Sequence, residues 1–315
     1  MKNKKILILG GAGFIGTNLC IELAKESTNR ITVIDQEVLY FANINSLSLP
    51  NVKTLEIKFN CQTDYINLIR DYDIVYHLVS TTNPSNSNLR IAKEIEDNVS
   101  VSSLIFEACI SNNIEKVVFI SSGGTVYGKE VECPIKEDAT TNPICSYGIQ
   151  KLAIEKLLYL YRHTNNLNYN IVRLANPYGP YQRPNGILGA LTTFIYKTLK
   201  KEPITIFGDG NTVRDYIYIT DTIKAIINIT KQETKHNIYN IGTGRGISLN
   251  NLLYEISNSL QIKQILCYQQ ARKVDVPINY LNTSRYEEEF GKIETTTLED
   301  GIINTANFLI KNYGI

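Results

Sequence analysis

An apolar run, Ile6-Leu7-Ile8-Leu9, passes directly into Gly10-Gly11-Ala12-Gly13-Phe14-Ile15-Gly16 and from there into a stretch with helical periodicity. Few folds accommodate that junction. Continuous apolar character over a strand's length marks a strand covered on both faces, the situation in parallel sheets flanked by helices. Glycines at the strand end let the backbone turn sharply and a helix pack close against the strand. The pattern then recurs: apolar runs at 31–34, 74–78, 117–120 and 171–174 alternate with helical stretches at 17–25, 98–111 and 147–161. Strands alternating with helices predict an α/β fold built on a doubly wound parallel Rossmann sheet.

Beyond residue 176 the alternation loosens into turn-rich pieces with short helices at 188–200, 219–230 and 249–260. We expect residues 1–176 to form a dinucleotide-binding domain, with later segments returning to it. Residues 177–315 are expected to form mainly a smaller α/β substrate lobe lying where open sheets bind ligands.

Bulk properties exclude several classes of function. Lys and Arg (32) balance Asp and Glu (31), leaving a net charge of +1 and no basic stripe for a nucleic-acid backbone. The basic start and its short apolar run do not make a signal peptide, and no run of about 18 apolar residues could span a membrane. A soluble cytoplasmic protein is expected. Six cysteines without a C-x-x-C pair and three histidines suggest neither a disulfide framework nor a metal site; the cysteines read as small core residues.

In the first glycine loop, exposed amides and the helix dipole, at Phe14 and Ile15, can hold a diphosphate. Asp35 ends the second apolar run, 19 residues after Gly16. A carboxylate there accepts hydrogen bonds from an adenosine ribose and repels a 2′-phosphate, so NAD is expected rather than NADP. Further on, Tyr147 and Lys151 lie four apart at the start of a helical stretch, so both project from one face. A neighbouring ammonium and a nicotinamide cation both favour phenolate, which would let Tyr147 exchange a proton.

With these motifs, the spacing Gly10-x-x-Gly13-x-x-Gly16 resembles that of the extended short-chain dehydrogenase/reductase superfamily, and within it the NAD-dependent epimerase/dehydratase family of UDP-glucose 4-epimerase type. The resemblance implies that Lys151 tunes Tyr147 and binds the nicotinamide ribose. It adds Leu78, Ser80 and Asn98 to the cofactor contacts, and it puts Asn60-Cys61 where the family often has an acidic residue near adenine. His77, inside an apolar run, is expected to be structural. The family's catalytic serine or threonine lies four residues before the tyrosine of Ser121-Ser122-Gly123-Gly124-Thr125-Val126-Tyr127-Gly128; here that position is Gly123. The hydroxyl must then come from Ser122 or Thr125, and we favour Thr125.

For the substrate, the resemblance implies that Asn176, Arg214 and Arg272 hold a nucleotide-sugar diphosphate and that Asp275 accepts from the nucleoside ribose. Dehydratases of the family carry Asp-Glu before the motif's Val-Tyr, and decarboxylases a Glu; this chain has Gly124-Thr125. The economical expectation is a redox-neutral 4-epimerase acting on UDP-glucose and UDP-galactose through a 4-keto intermediate. Family members that exclude N-acetyl sugars often have tyrosine at the position of Asn279, so UDP-GlcNAc and UDP-GalNAc are expected to be tolerated. A 4-keto-reductase of nucleotide deoxysugars is the main alternative. A silent NAD-binding module is another, given Gly123. A homodimer through the helices at 98–111 and 147–161 is also implied.

Overall fold

The structure is a computed structural model that describes residues 1–184, 189–271 and 276–315. The chain forms strands β1 Lys5–Leu9, β2 Arg30–Asp35, β3 Val52–Glu56, β4 Ile74–His77, β5 Lys116–Ser122, β6 Tyr169–Leu174, β7 Asn176–Tyr178, β8 Pro203–Phe207, β9 Val213–Arg214, β10 Tyr216–Tyr218, β11 Ile238–Ile241, β12 Ile247–Ser248, β13 Ile265–Gln269 and β14 Ile278–Asn279. Seven of them make one parallel sheet in the order β11-β6-β5-β4-β1-β2-β3. The chain order reverses between β1 and β4, which opens a crevice at the carboxyl ends of those two strands.

Burial explains why the apolar runs become strands. Ile6, Leu7, Ile8 and Leu9 are wholly inaccessible, and each stabilises the fold by about 1.5–3 kcal/mol relative to an exposed side chain. Ile6 and Ile8 face one core, with Leu19, Ile223 and Ile226. Leu7 and Leu9 face the other, with Ile105, Phe106, Ile154 and Leu158. A third cluster, including Leu191, Ile195, Leu252, Ile256, Ile302 and Leu309, lies apart from the two cores of the seven-stranded sheet.

The helix expected at 98–111 is longer than its periodicity indicates. It runs as Ile91–Ile95, a π-type turn Glu96–Ser100, and Val101–Ser111, with Asn98 buried inside the turn. The helix expected at 147–161 spans Ser146–Asn165 and stops at Asn166, whose left-handed φ of 57° closes the last turn. The helix expected at 188–200 is Ala190–Lys200, and Leu188 lies outside the described residues.

The elements not expected include β3, β11, the short strands β7–β10 and β12–β14, and the helix Leu298–Tyr313, capped by Thr297 accepting from the Asp300 amide at 3.1 Å. Cys20, Cys109 and Cys145 are buried, and Cys61 and Cys133 half-buried. Cys267 departs from the core expectation because β13 is exposed along its whole length. Among the described residues no helix is long and apolar enough to cross a membrane, and no group of three His, Cys, Asp or Glu could hold a metal ion.

Candidate active site

Gly10 turns out of β1 with φ +72°, and a β-carbon there would lie 2.8 Å from the Val79 nitrogen. Gly16 sits against Gly11, whose carbonyl oxygen would be 2.3 Å from an added β-carbon. Gly13 differs: the nearest atom to an added β-carbon is 3.9 Å away, so this glycine faces open space. The helix Phe14–Ala24 begins at that opening with no side-chain cap and no acidic residue in its first turn. Its first amides are therefore available to an anion, while the Phe14 and Ile15 side chains pack on the core.

Asp35 is fixed beside this opening. Its carboxylate accepts from the amides of Ala12 (3.0 Å) and Gln36 (2.9 Å), and burial raises its pKa. Amides, open space and a carboxylate at the end of β2 together fit a dinucleotide's diphosphate and adenosine ribose.

Other expected cofactor residues are engaged locally. Asn60 closes its own turn, accepting from the Gln62 amide at 2.8 Å, and Cys61 packs against the core. The Ser80 hydroxyl donates to the Thr82 carbonyl at 2.8 Å, and Leu78 is half-buried against the sheet core. Asn98 accepts from the Thr81 amide (2.8 Å) and donates to Thr81 Oγ1 (2.9 Å) and the Glu94 carbonyl (2.8 Å). Its amide thus holds the loop after β4, with both N–H donors engaged and the oxygen keeping one free lone pair.

Tyr147 and Lys151 lie in the first two turns of the helix Ser146–Asn165. The Lys151 ammonium stands 5.7 Å from the Tyr147 ring centre and 4.8 Å from that of Phe119, and it donates to the Ile120 carbonyl at 2.9 Å. Burial pulls its pKa down to about 8, with Glu155 opposing. Burial pushes the Tyr147 phenol up to about 12, opposed by a hydrogen bond with Ser122. The phenol is therefore neutral at pH 7 until further positive charge arrives. Gly148 lets the helix close on the strand-end loop; an added β-carbon would lie 3.0 Å from the Thr125 carbonyl oxygen.

Of the two candidate hydroxyls, that of Thr125 is buried with no partner, whereas Ser122 is the group that lowers the Tyr147 pKa against burial. His77 is structural. It lies between Phe106 and Phe119, its Nε2 is 2.7 Å from Ser102 Oγ, and burial holds it neutral with a pKa of about 3.

Behind Lys151 runs a buried network absent from the sequence reading. Arg173 binds Glu155 through Nε (3.1 and 3.2 Å) and Nη2 (2.6 Å), and its Nη1 donates to the Tyr127 hydroxyl at 3.0 Å. Ser121 donates to Glu155 at 2.5 Å, and Tyr127 to Asn240 at 2.7 Å. The available signal was a charge inside an apolar strand, since Arg173 interrupts Ile171-Val172-Leu174.

On the lobe side, Asn176 donates its side-chain amide to the Asp215 carbonyl at 2.9 Å. Arg214 and Asn279 are partners in the β9–β14 pairing, and Arg214 Nη1 donates to the Val213 carbonyl at 2.8 Å. Asn279 is buried and reaches across to the Gly123 carbonyl at 3.2 Å. Arg272 and Asp275 lie outside the described residues.

Asp215, not singled out from sequence, is wholly buried and accepts from Thr243 N (2.8 Å), Thr243 Oγ1 (2.6 Å), Gly244 N (3.2 Å) and Leu281 N (3.4 Å). Its own carbonyl takes the Asn176 amide at 3.0 Å.

A buried ammonium with a lowered pKa costs stability at neutral pH, and the cost fades as it deprotonates. We expect cofactor-free Lys151→Met to be more stable than wild type at pH 7, by up to about 3 kcal/mol. The gap should narrow as pH rises from about 8 toward the ordinary lysine value, because there the unfolded chain binds the extra proton. Urea unfolding of both proteins across that range measures it, and a constant gap would contradict the assignment.

Residues 6–242 match the model of the NAD dependent epimerase/dehydratase family. The chain belongs to that family. A candidate UDP-glucose 4-epimerase of Methanocaldococcus jannaschii is 33% identical over 309 residues, covering 98% of this chain and 99% of the relative. The dTDP-4-dehydro-6-deoxyglucose reductase of Escherichia coli is 32% identical over 308 residues, covering 94% and 95%. Among solved structures, the Bacillus cereus UDP-glucuronic acid 4-epimerase, bound to UDP-glucuronic acid and NAD, superposes with a TM-score of 0.89 at 28% identity, covering 98% and 99%. The family is NAD-dependent, and the Bacillus cereus enzyme holds NAD in its solved structure. The protein is thus an enzyme of the nucleotide-sugar epimerase/dehydratase group.

Proposed function

We propose that the enzyme is a redox-neutral 4-epimerase of UDP-hexoses. The observation that carries this reading is the strand-end loop 121–128, which sets the Ser122 hydroxyl against Tyr147 and contains no acidic residue. Nearby carboxylates are already engaged, Glu155 by Arg173 and Glu94 by Ser146 at 2.5 Å. Loss of water needs an acid and a base at adjoining carbons, whereas inversion at one carbon needs a single proton carrier. Bound NAD supplies the hydride acceptor and later donor. Tyr147 takes the C4 hydroxyl proton and returns it, Lys151 favours its phenolate, and Asn176 and Arg214, together with Arg272, hold the diphosphate.

The Bacillus cereus and Methanocaldococcus relatives support epimerisation. The Escherichia coli reductase supports a second reading, reduction of a 4-keto deoxysugar with net use of cofactor.

We further propose that N-acetylhexosamine nucleotides are accepted. Asn279 is folded against Gly123, and Tyr280 turns to the opposite side, where Gly246 packs on its ring. A homodimer through exposed Ile91, Ile95, Ile149 and Leu160 on the two long helices is also proposed; light scattering should give twice the chain mass, and a monomer at micromolar concentration refutes it.

The deciding experiment incubates the protein, without reductant, with UDP-glucose, UDP-galactose and their N-acetyl counterparts and follows C4 by proton NMR. Inversion without net cofactor change is expected. Absence of inversion, with NADH or NADPH consumed on a dTDP-4-keto-6-deoxysugar, would replace the epimerase with the reductase.

A further inference from the structure

We infer that Asn88 and Glu94, in the segment that follows β4, are positioning residues for Tyr147 and Lys151: they cap and pin the first turns of the helix that carries the pair. The inference rests on the Tyr147-centred reading above and adds to it what sets the direction of the phenol.

The helix Ser146–Asn165 has no side-chain cap from its own N-cap residue, Cys145, so its first amides need a partner from elsewhere. Asn88 supplies one, its side-chain oxygen accepting from the Ser146 amide at 2.7 Å. Asn88 itself holds a left-handed φ of 81°, a conformation that asparagine adopts at lower cost than most residues.

Glu94 completes the pin. Its carboxylate is buried and accepts from Ser146 Oγ at 2.5 Å, Gln150 Nε2 at 3.1 Å and the Arg90 amide at 3.1 Å. Gln150 also donates to Ser146 Oγ at 2.8 Å and accepts from Thr82 Oγ1 at 3.1 Å. Ser146 and Gln150 share one helix face, and each directly precedes a member of the Tyr147 and Lys151 pair. Tying that face to Glu94 fixes the rotation of the helix about its own axis. The direction in which the adjoining face presents Tyr147 and Lys151 is fixed with it.

Apolar burial begins further along. The buried residues up to Lys151 are Ser146, Gly148, Gln150 and Lys151, and the first buried apolar side chain of the helix is Ile154, followed by Leu158. Besides the bond from Lys151 to the Ile120 carbonyl, polar grip on the start of the helix thus comes through Asn88 and Glu94. Removing it loosens the first turns while the core keeps the rest of the helix in place.

The test uses the NAD-loaded protein and four variants: Asn88→Ala, Asn88→Gly, Asn88→Asp and Glu94→Ala. Asn88→Ala should lower kcat for UDP-galactose about tenfold, with KM changed less than about threefold, because the reacting groups are displaced and the binding groups on other elements are not. Asn88→Gly relaxes the backbone but removes the acceptor, and should match Asn88→Ala. Asn88→Asp restores an acceptor, tolerates the same φ and adds negative charge at a helix N-terminus, so it should recover most of kcat. Glu94→Ala releases Ser146 and Gln150 together and should cost about a hundredfold. In hydrogen exchange, amides 146–151 should exchange at least about tenfold faster in Asn88→Ala and Glu94→Ala, with 154–165 unchanged. Circular dichroism checks each fold; should Glu94→Ala fail to fold, the series at exposed Asn88 decides alone.

Wild-type kcat in Asn88→Ala, a loss carried by KM, an Asn88→Asp as slow as Asn88→Ala, or an Asn88→Gly as fast as wild type would each overturn the inference. If wild type inverts no sugar nucleotide, the reaction reading fails separately. The exchange then decides the pin: wild-type protection of 146–151 in Asn88→Ala overturns it, as does exchange that rises equally along the whole helix.

Discussion

Tyr147→Phe is expected to reduce epimerisation by about 10³- to 10⁴-fold while NAD and the sugar nucleotide still bind. The substitution removes one oxygen and leaves the ring in place beside Lys151, 5.7 Å from the ammonium. No neighbour can assume the role. The Lys151 ammonium is committed to the Ile120 carbonyl. Binding should persist because Gly13, Asp35 and Asn176 lie on other elements. Proton NMR of turnover, paired with calorimetric titration of UDP-glucose, separates the two effects. Near-normal turnover would sink the mechanism.

Arg173→Met is expected to destabilise the fold by about 3–5 kcal/mol. The side chains of Arg173 and Glu155 retain only 4% and 2% of their accessible surface, so removing the cation strands a carboxylate in the interior. Ser121 would remain as its hydrogen-bond donor. Replacing both, as Arg173→Met/Glu155→Leu, should recover much of the loss, because an apolar pair carries no desolvation cost. Urea unfolding of the four proteins in a double-mutant cycle gives the coupling. A single-variant cost below about 1 kcal/mol would mean that the pair is solvated. Glu155 sits one helical turn after Lys151, so the same variant should also disturb the ammonium's position.

Much of this was legible in the sequence where one residue's environment is set by near neighbours. The β1 run, the glycine loop and Asp35 form a local unit, and Tyr147 and Lys151 share a helix face whatever surrounds them. Legibility failed where distant contacts decide. β3 is an edge strand with alternating exposure, so Val52–Glu56 carries no continuous apolar run. β11 is interrupted by Asn240, wholly buried only because Tyr127 donates to its side chain and its own amide reaches the Ile135 carbonyl at 2.8 Å. The helix Leu298–Tyr313 was a different kind of omission, since Thr297 and Asp300 form a readable start signal before the spaced Ile302, Ala306 and Leu309.

Asp215 binds together the chain at Asn176, Thr243, Gly244 and Leu281, the points where it leaves β6 and β11 and where the lobe returns to the sheet. Parting the two layers like a clamshell would rupture several charge-assisted bonds at once around a group with no water to replace them. We therefore expect substrate exchange to proceed by local displacements of short segments. The molecule's outline in small-angle scattering should accordingly be the same whether empty or loaded.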